Sequence, residues 1–316
     1  MKSTSFLARR VAQSAAVIWG IITVVFLMRF LSPGDPASLV APEGADAELI
    51  QRIREDLGLT DPVIVQYFDY LTGVIQGDLG YSYDSQIEVI DLLIIALPPT
   101  LELAFASLVF ALVLSIPLGI LSARKRGSGV DTTANLFSLG GLSTPNFWLG
   151  IMLILVVSVQ FGLLPTSGRV PPTESLTHWA AHMILPTIAL GTYFMALIFR
   201  MTRNNVIEEI NKEHVRAARA KGLPSNIVML RYVLQNSMAP VITVAGLQLG
   251  VLIGGSVVVE AVFNWPGIGS LFISALYNSD WPVMQGILIV VGIGYVVINI
   301  IVDMINSKLD PRVGLS

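Results

Sequence analysis

Thr100-Leu-Glu-Leu-Ala-Phe-Ala-Ser-Leu-Val-Phe-Ala-Leu-Val-Leu-Ser-Ile-Pro-Leu-Gly-Ile-Leu-Ser122 carries a single ionisable side chain, Glu102, and that near its start. A helix needs roughly 20 apolar residues to cross the hydrocarbon of a bilayer, and this run supplies them. Pro98-Pro99 stand just before it, and proline suits a first helical turn, where no intrahelical N–H bond is lost. The whole chain has this character. Of its 316 residues, 53% are hydrophobic and 13% charged, with a mean hydropathy of +0.71. A soluble protein carries roughly 25% charged residues, and a soluble surface would keep that ionic coat around any core. Lipid as solvent accounts for the deficit. With no cysteine, a disulfide framework, a Cys-based metal site and thiol catalysis are excluded.

Five further runs qualify as spans: 11–31, 136–161, 183–201, 238–263 and 283–305. Pro186 lies just inside the fourth of the six. Lys2, Arg9 and Arg10 precede the first in the manner of a signal peptide. That run exceeds a typical signal core, and Phe30-Leu-Ser-Pro-Gly-Asp-Pro36 lacks a small-x-small cleavage site, so it reads as a retained helix. The loops that alternate along these spans divide the charge. All of the 19 basic residues except Arg29, Arg52, Arg54 and Arg169 fall on one side, which by the positive-inside rule is cytoplasmic and holds both termini. The expected architecture is all-α, with six transmembrane helices. Its parts are a cytoplasmic N-terminus and first helix (1–31), an external acidic region (32–97), a five-helix core (98–307) containing a cytoplasmic loop (200–240), and a cytoplasmic tail (308–316). Within the external region, 46–57 reads as an amphipathic helix ended by Gly58, and 63–75 as a second with Gln66, Asp69 and Gln76 outward. Their apolar stripes favour an ordered cap that faces a partner on the outer membrane surface.

Loop 200–240 is far longer than a minimal helix–helix connection. It contains Glu208-Glu-Ile-Asn-Lys-Glu-His-Val-Arg-Ala-Ala-Arg-Ala-Lys-Gly-Leu-Pro224, in which Val215, Ala218 and Gly222 recur at helical spacing with Arg216, Arg219 and Lys221 on other faces. Small residues let a partner approach closely, and Gly222 and Pro224 break the helix. Two readings fit: docking onto a cytosolic protein, or an interfacial helix drawn to anionic lipid.

Arg216-Ala-Ala-Arg-Ala-Lys-Gly222 resembles the "EAA…G" loop of ATP-binding-cassette importer permeases, with Arg216 where the general pattern has glutamate. The resemblance extends along the chain: Leu31-Ser-Pro-Gly-Asp-Pro36, Leu57-Gly-Leu59 with Gln66-Tyr67, Gly77-Asp-Leu-Gly80, Leu97-Pro-Pro-Thr-Leu-Glu-Leu103, Pro145-Asn-Phe-Trp-Leu-Gly150, Val259-Glu-Ala-Val-Phe-Asn-Trp-Pro-Gly-Ile-Gly269 and Leu309-Asp-Pro-Arg312 are similar to the dipeptide/oligopeptide/nickel permease family, first of its two permease subunits. The resemblance implies the type I importer permease fold. It also implies a coupling helix, formed by Arg216, Ala217, Ala218, Arg219, Lys221 and Gly222, seated in a groove of an ATPase subunit. Implied partners are a second homologous permease forming a heterodimer, two cytosolic ATP-binding subunits that hold ATP and Mg, an extracytoplasmic substrate-binding protein and membrane lipid, with no nucleic acid. Peptides are the implied cargo, with glutathione or nickel chelates as alternatives, in the cell (inner) membrane.

Other residues carry weaker signals. Glu260 lies within an apolar run and either faces the passage or pairs at the interface with Arg29; Glu102 and Asp303 sit near span ends. Asn264, Trp265 and Pro266, with Gly267 and Gly269, form a turn that belongs at an outer gate facing the bundle, because unpaired backbone at that depth needs protein or water around it. Trp265 also fits a belt anchor, as do Trp19, Trp148, Trp179 and Trp281. Gly246, Gly250 and Gly254 suit close helix contact, within the chain or against a second permease. His178 and His182, four apart but lacking a third ligand nearby, read as interfacial and not as a metal site. No phosphate-binding Gly-x-x-x-x-Gly-Lys-Ser/Thr loop, nucleophile elbow or His-Glu-x-x-His helix occurs. The chain therefore reads as no enzyme, without catalytic residues, cofactor or metal of its own. An ion-coupled secondary transporter would want more intramembrane acids than Glu260 alone.

Overall fold

A computed structural model describes the backbone of residues 2–31, 35–42 and 44–309, and side chains over 12–30, 35–42 and 44–305. Parts of two sequence motifs, 32–34 and 310–312, lie outside the described residues, as do the basic side chains of Lys2, Arg9, Arg10 and Lys308. All regular structure among the described residues is helical, apart from one isolated bridge between Tyr81 and Glu88.

The chain forms two compact units. One comprises 1–99 and 267–296; the other 100–266 and 297–316.

In the first unit, α1 (Lys2–Met28) precedes three short helices: α2 (Pro36–Val40), α3 (Ala47–Asp56) and α4 (Val63–Gln76). The Asp46 carboxylate accepts from Leu49 N at the start of α3, and Gly58, at φ +64, permits the turn that ends it. Val74, Tyr70 and Leu71 of α4 pack on Ile22 and Val25 of α1. Gln66 is not outward as the sequence suggested. It is half-buried, accepts from Arg29 and donates to the carbonyls of Leu59 and Asp61. Asp69 and Gln76 are exposed. α3 buries none of its residues.

α5 (Val89–Arg124) starts well before the prolines, so Pro98 and Pro99 lie inside it. Val89, Leu93 and Ala96 recur along one face and bury against α13 (Ile268–Tyr277) and α14 (Trp281–Leu309). Burial of that face carries the helix through two missing N–H donors. A Cβ on Gly286 would meet Val89 at 2.5 Å, which marks how closely α14 approaches α5. The turn before α14 is clasped by Asp280, 2% exposed, which accepts from Ser82 Oγ at 2.5 Å and from the amides of Tyr83 and Asp84.

In the second unit, the expected third span proves to be two helices, α6 (Gly129–Ser143) and α7 (Asn146–Leu153), the latter continued by a π-helical stretch (Ile154–Gln160). They meet at 102°. Pro145 holds the residue before it extended, so one straight helix cannot form. α8 (Leu176–Ile210) begins at its cap Ser175, which makes Pro186 an interior residue. The fifth span starts earlier than expected, as one run from Ser225 to Gly255 that includes α10 (Ser225–Ile227), a π-helical stretch (Val228–Leu234) and α11 (Gln235–Gly255). Loop 200–240 is thereby mostly helix, and only α9 (Glu213–Ala220) and its flanks lie between α8 and α10. Among the described residues, four single helices are long and apolar enough to span, the bent pair makes a fifth if it is one span, and Ala12–Met28 is a shorter apolar helix. Small residues set the close contacts: a Cβ on Gly191 would meet Phe110 at 2.7 Å, and one on Gly246 would meet Val302 at 2.4 Å. The Gly246 contact lies within the chain, while Gly254 is exposed.

Candidate functional site

α9 runs for eight residues from its N-cap Lys212 to its C-cap Lys221, and Gly222 follows at φ +75, a left-handed conformation that costs a side-chain-bearing residue about 1 kcal/mol or more. Val215 (0% exposed) and Ala218 (3%) point inward, into a cluster with Ala123 of α5, Val206 of α8, and Val228 and Val233 on the way to α11. Arg216, Ala217, Arg219, Ala220, Lys221 and Gly222 are exposed. The shared spacing of Val215 and Ala218 thus marks the face that seats α9 on its own chain. Ala218, expected at the docking face, belongs to this inner one. Glu209, 4% exposed, accepts from Lys212 at 2.6 Å and faces His214 at 3.2 Å, which pins the turn between α8 and α9. The Glu209 carboxylate holds the Lys212 ammonium above its usual range.

Near α9, Asp131 and Arg203 form a buried bidentate pair, 2.7 and 2.8 Å, that ties the start of α6 to α8. Ser122 Oγ and Gly127 N also donate to Asp131. Neither residue stood out in sequence. The available signal was Ser128 capping α6 three residues before Asp131.

At the far end of α8, roughly 50 Å away at 1.5 Å per residue, a second cluster gathers. Glu102 accepts from Arg169 at 2.7 Å and from the Trp179 indole. It is 18% exposed, so it is a paired group and not a free interfacial acid. The Arg169 guanidinium also lies 6.0 Å from the Trp265 ring, and Gly168 N donates to Phe263 O at 2.8 Å. These contacts hold loop 161–175 on the turn 263–267. α12 (Val257–Val262) precedes that turn. Trp265 is wholly buried, which excludes a lipid-facing belt role, whereas Trp19 and Trp148 are half exposed. Asn264 adopts φ +47 and is exposed, as is Pro266. Glu260 is 0% exposed, and it accepts from Thr100 Oγ1 at 2.8 Å and Ser256 Oγ at 2.7 Å. In this conformation it therefore braces the turn and does not line an open passage. Arg29, the alternative partner the sequence suggested, donates to Gln66 and lies over Phe26 and Phe30. His178 and His182 each engage a local group, Ser175 Oγ and the His178 carbonyl, and do not converge.

Residues 115–315 match the family model described as "Binding-protein-dependent transport system inner membrane component", and residues 3–104 match "Binding-prot-dependent transport system membrane comp, N-term". The chain is 39% identical to the dipeptide transport system permease protein DppB of Escherichia coli K12, covering 98% of each. It is 39% identical to the oligopeptide transport system permease protein AppB of Bacillus subtilis 168, covering 98% of this chain and 99% of that one. To the glutathione transport system permease protein GsiC of Escherichia coli O6:H1 it is 36% identical, with 98% of each covered. Among solved structures, an inward-facing MetNI methionine ABC transporter matches at a TM-score of 0.56 and 23% identity, over 69% of this chain and 96% of that one. That likeness shows the fold, which is the type I importer permease fold expected from the sequence.

Proposed function

The chain belongs to the family of binding-protein-dependent transport system inner membrane components, and we propose that it is the permease subunit of a peptide importer driven by separate ATPases. Relatives named for dipeptide, oligopeptide and glutathione transport, alike over nearly the whole chain, support peptide cargo. The charge asymmetry of the loops supports an orientation with α9 and both termini in the cytoplasm. A second homologous permease completes the passage, an external binding protein delivers the peptide, and two cytosolic subunits hold ATP and Mg. This chain performs no chemistry itself.

The observation that carries this reading is α9. It is a short helix whose inner face is buried and whose outer face offers small and basic side chains to a partner. Its cluster joins α8 and the run leading to α11. Trp179, in the first turn of α8, donates to Glu102, and Ser256, the C-cap of α11, donates to Glu260. A displacement imposed on α9 by ATPase closure therefore has two long helical runs along which to reach the turn 263–267. Closure must favour one gate state, because only differential free energy shifts an equilibrium; moving it from 1:99 to 99:1 takes roughly 5.5 kcal/mol.

The test is co-expression with the neighbouring genes, followed by uptake and ATPase assays in proteoliposomes. A second permease and an ATPase should co-purify, and Gly222→Trp should leave insertion intact while hydrolysis proceeds without uptake. Normal uptake by that variant, or substrate movement by the lone chain on an ion gradient, would overturn the proposal.

A further inference from the structure

Between α5, α6 and α8 lies an apolar groove of about 670 Å³, within the ~300–1,000 Å³ range of ligand pockets. Leu114 and Leu118 of α5, Val130 and Phe137 of α6, and Met195 and Phe199 of α8 line it. Phe137 is 75% exposed, so nothing among the described residues covers that wall. The groove follows α6 only from 129 to 138, roughly 14 Å, about half of a hydrocarbon core ~30 Å thick. A partner helix would need a seat along the full span; an acyl chain of one leaflet needs half.

Basic residues adjoin one end of the groove in sequence. Gly129 and Val130 follow directly on Arg124, Lys125 and Arg126, and Phe199 precedes Arg200; all four cations are exposed. The nearest acid along the chain, Asp131, is already taken up by Arg203, Ser122 and Gly127. Unneutralised positive charge at one end of a leaflet-deep apolar groove matches an anionic phospholipid, head group outward and chain inward. We propose that this groove is a binding site for such a lipid, held by Arg124, Lys125 and Arg126. In the proposed orientation the lipid belongs to the cytoplasmic leaflet.

Two measurements test it, both on the full chain with the subunits that accompany it. Benzoylphenylalanine at Phe137 should, on illumination in membranes, yield a phospholipid adduct; an adduct with a polypeptide, or none, would overturn the proposal and, in the first case, make the groove a subunit interface. Second, the complex is exchanged into phosphatidylcholine nanodiscs and titrated with phosphatidylglycerol, with bound lipid read by native mass spectrometry. Each charge removed should weaken retention roughly fivefold, and Arg124→Gln, Lys125→Gln and Arg126→Gln together on the order of a hundredfold. Those side chains are exposed, so the triple variant should fold normally; equal retention would refute the assignment. Neither readout depends on transport, so failure here leaves the importer reading standing.

Discussion

Ala217 is exposed and Ala218 is 3% exposed, one residue apart on an eight-residue helix. Tryptophan at the two positions should therefore fail in different ways. Ala218→Trp forces a large ring among Val206, Val215 and Val228, and overpacking of this kind costs about 1–3 kcal/mol. Ala217→Trp meets only solvent in the isolated chain, so its melting temperature should stay that of the parent while ATP-driven uptake is lost. Thermal unfolding in detergent set against uptake separates the two. If Ala217→Trp transports normally, its face is not the docking face. Glu260 permits a similar separation. Glu260→Leu removes the acceptor to which the Thr100 and Ser256 hydroxyls donate and should destabilise by about 1–3 kcal/mol. Glu260→Gln keeps an acceptor of the same size and should lose much less. A Gln variant as unstable as the Leu variant would mean that the charge, and not the hydroxyl acceptor, holds the turn.

α3 and α9 are both short amphipathic helices, yet α9 is seated by two buried residues and α3 by none. α3 lies against α2, where Arg54 pairs with Asp35 at 2.5 Å, both partly exposed, and such pairs contribute roughly 0–1 kcal/mol. Leu49 and Leu57 of its apolar stripe stay about 40% exposed, and the proposed binding protein is the partner tested against them. Replacing 47–57 with a Gly/Ser linker should leave expression intact and weaken uptake only at limiting binding protein, visible as a raised half-saturation in proteoliposomes. An unchanged curve would remove α3 from the delivery step. The two helices also show what local sequence can convey. Asp46 and Gly58 bracket α3, and Gly222 stops near the end of α9, because caps and left-handed turns are decided within a few residues. The side on which α9 is buried was not legible: spacing groups Val215 with Ala218 but is the same for a face packed inward and one offered outward. The long helices exceeded their apolar windows for a related reason. α8 continues to Ile210 because Val206 and Glu209 find buried partners there, which hydropathy cannot register.

Across the second unit, the pairs that fix the architecture are distant in sequence: Glu102 with Arg169, Thr100 with Glu260, Asp131 with Arg203. Counting lysines and arginines put Arg169 and Arg203 on opposite sides of the membrane in the sequence reading but could not choose their partners, since pairing follows from how the helices pack. The Asp131–Arg203 pair ties the start of α6 to α8, toward the end of α8 that leads into α9. Arg203→Met leaves the Asp131 carboxylate, 5% exposed, with only neutral donors, and breaking a buried pair from one side costs on the order of 3 kcal/mol. That is a sizeable part of the roughly 5.5 kcal/mol a gate needs to switch, so a loosened joint should dissipate the stroke as well as lower stability. Asp131→Leu combined with Arg203→Met replaces the ion pair by apolar groups and should recover most of the thermal stability. Uptake decides what the pair does beyond stability. If it only holds the fold, the double variant transports as it melts, close to the parent. If its fixed bidentate geometry passes motion from α8 to α6, the double variant stays stable while its uptake per ATP hydrolysed falls, the outcome expected here.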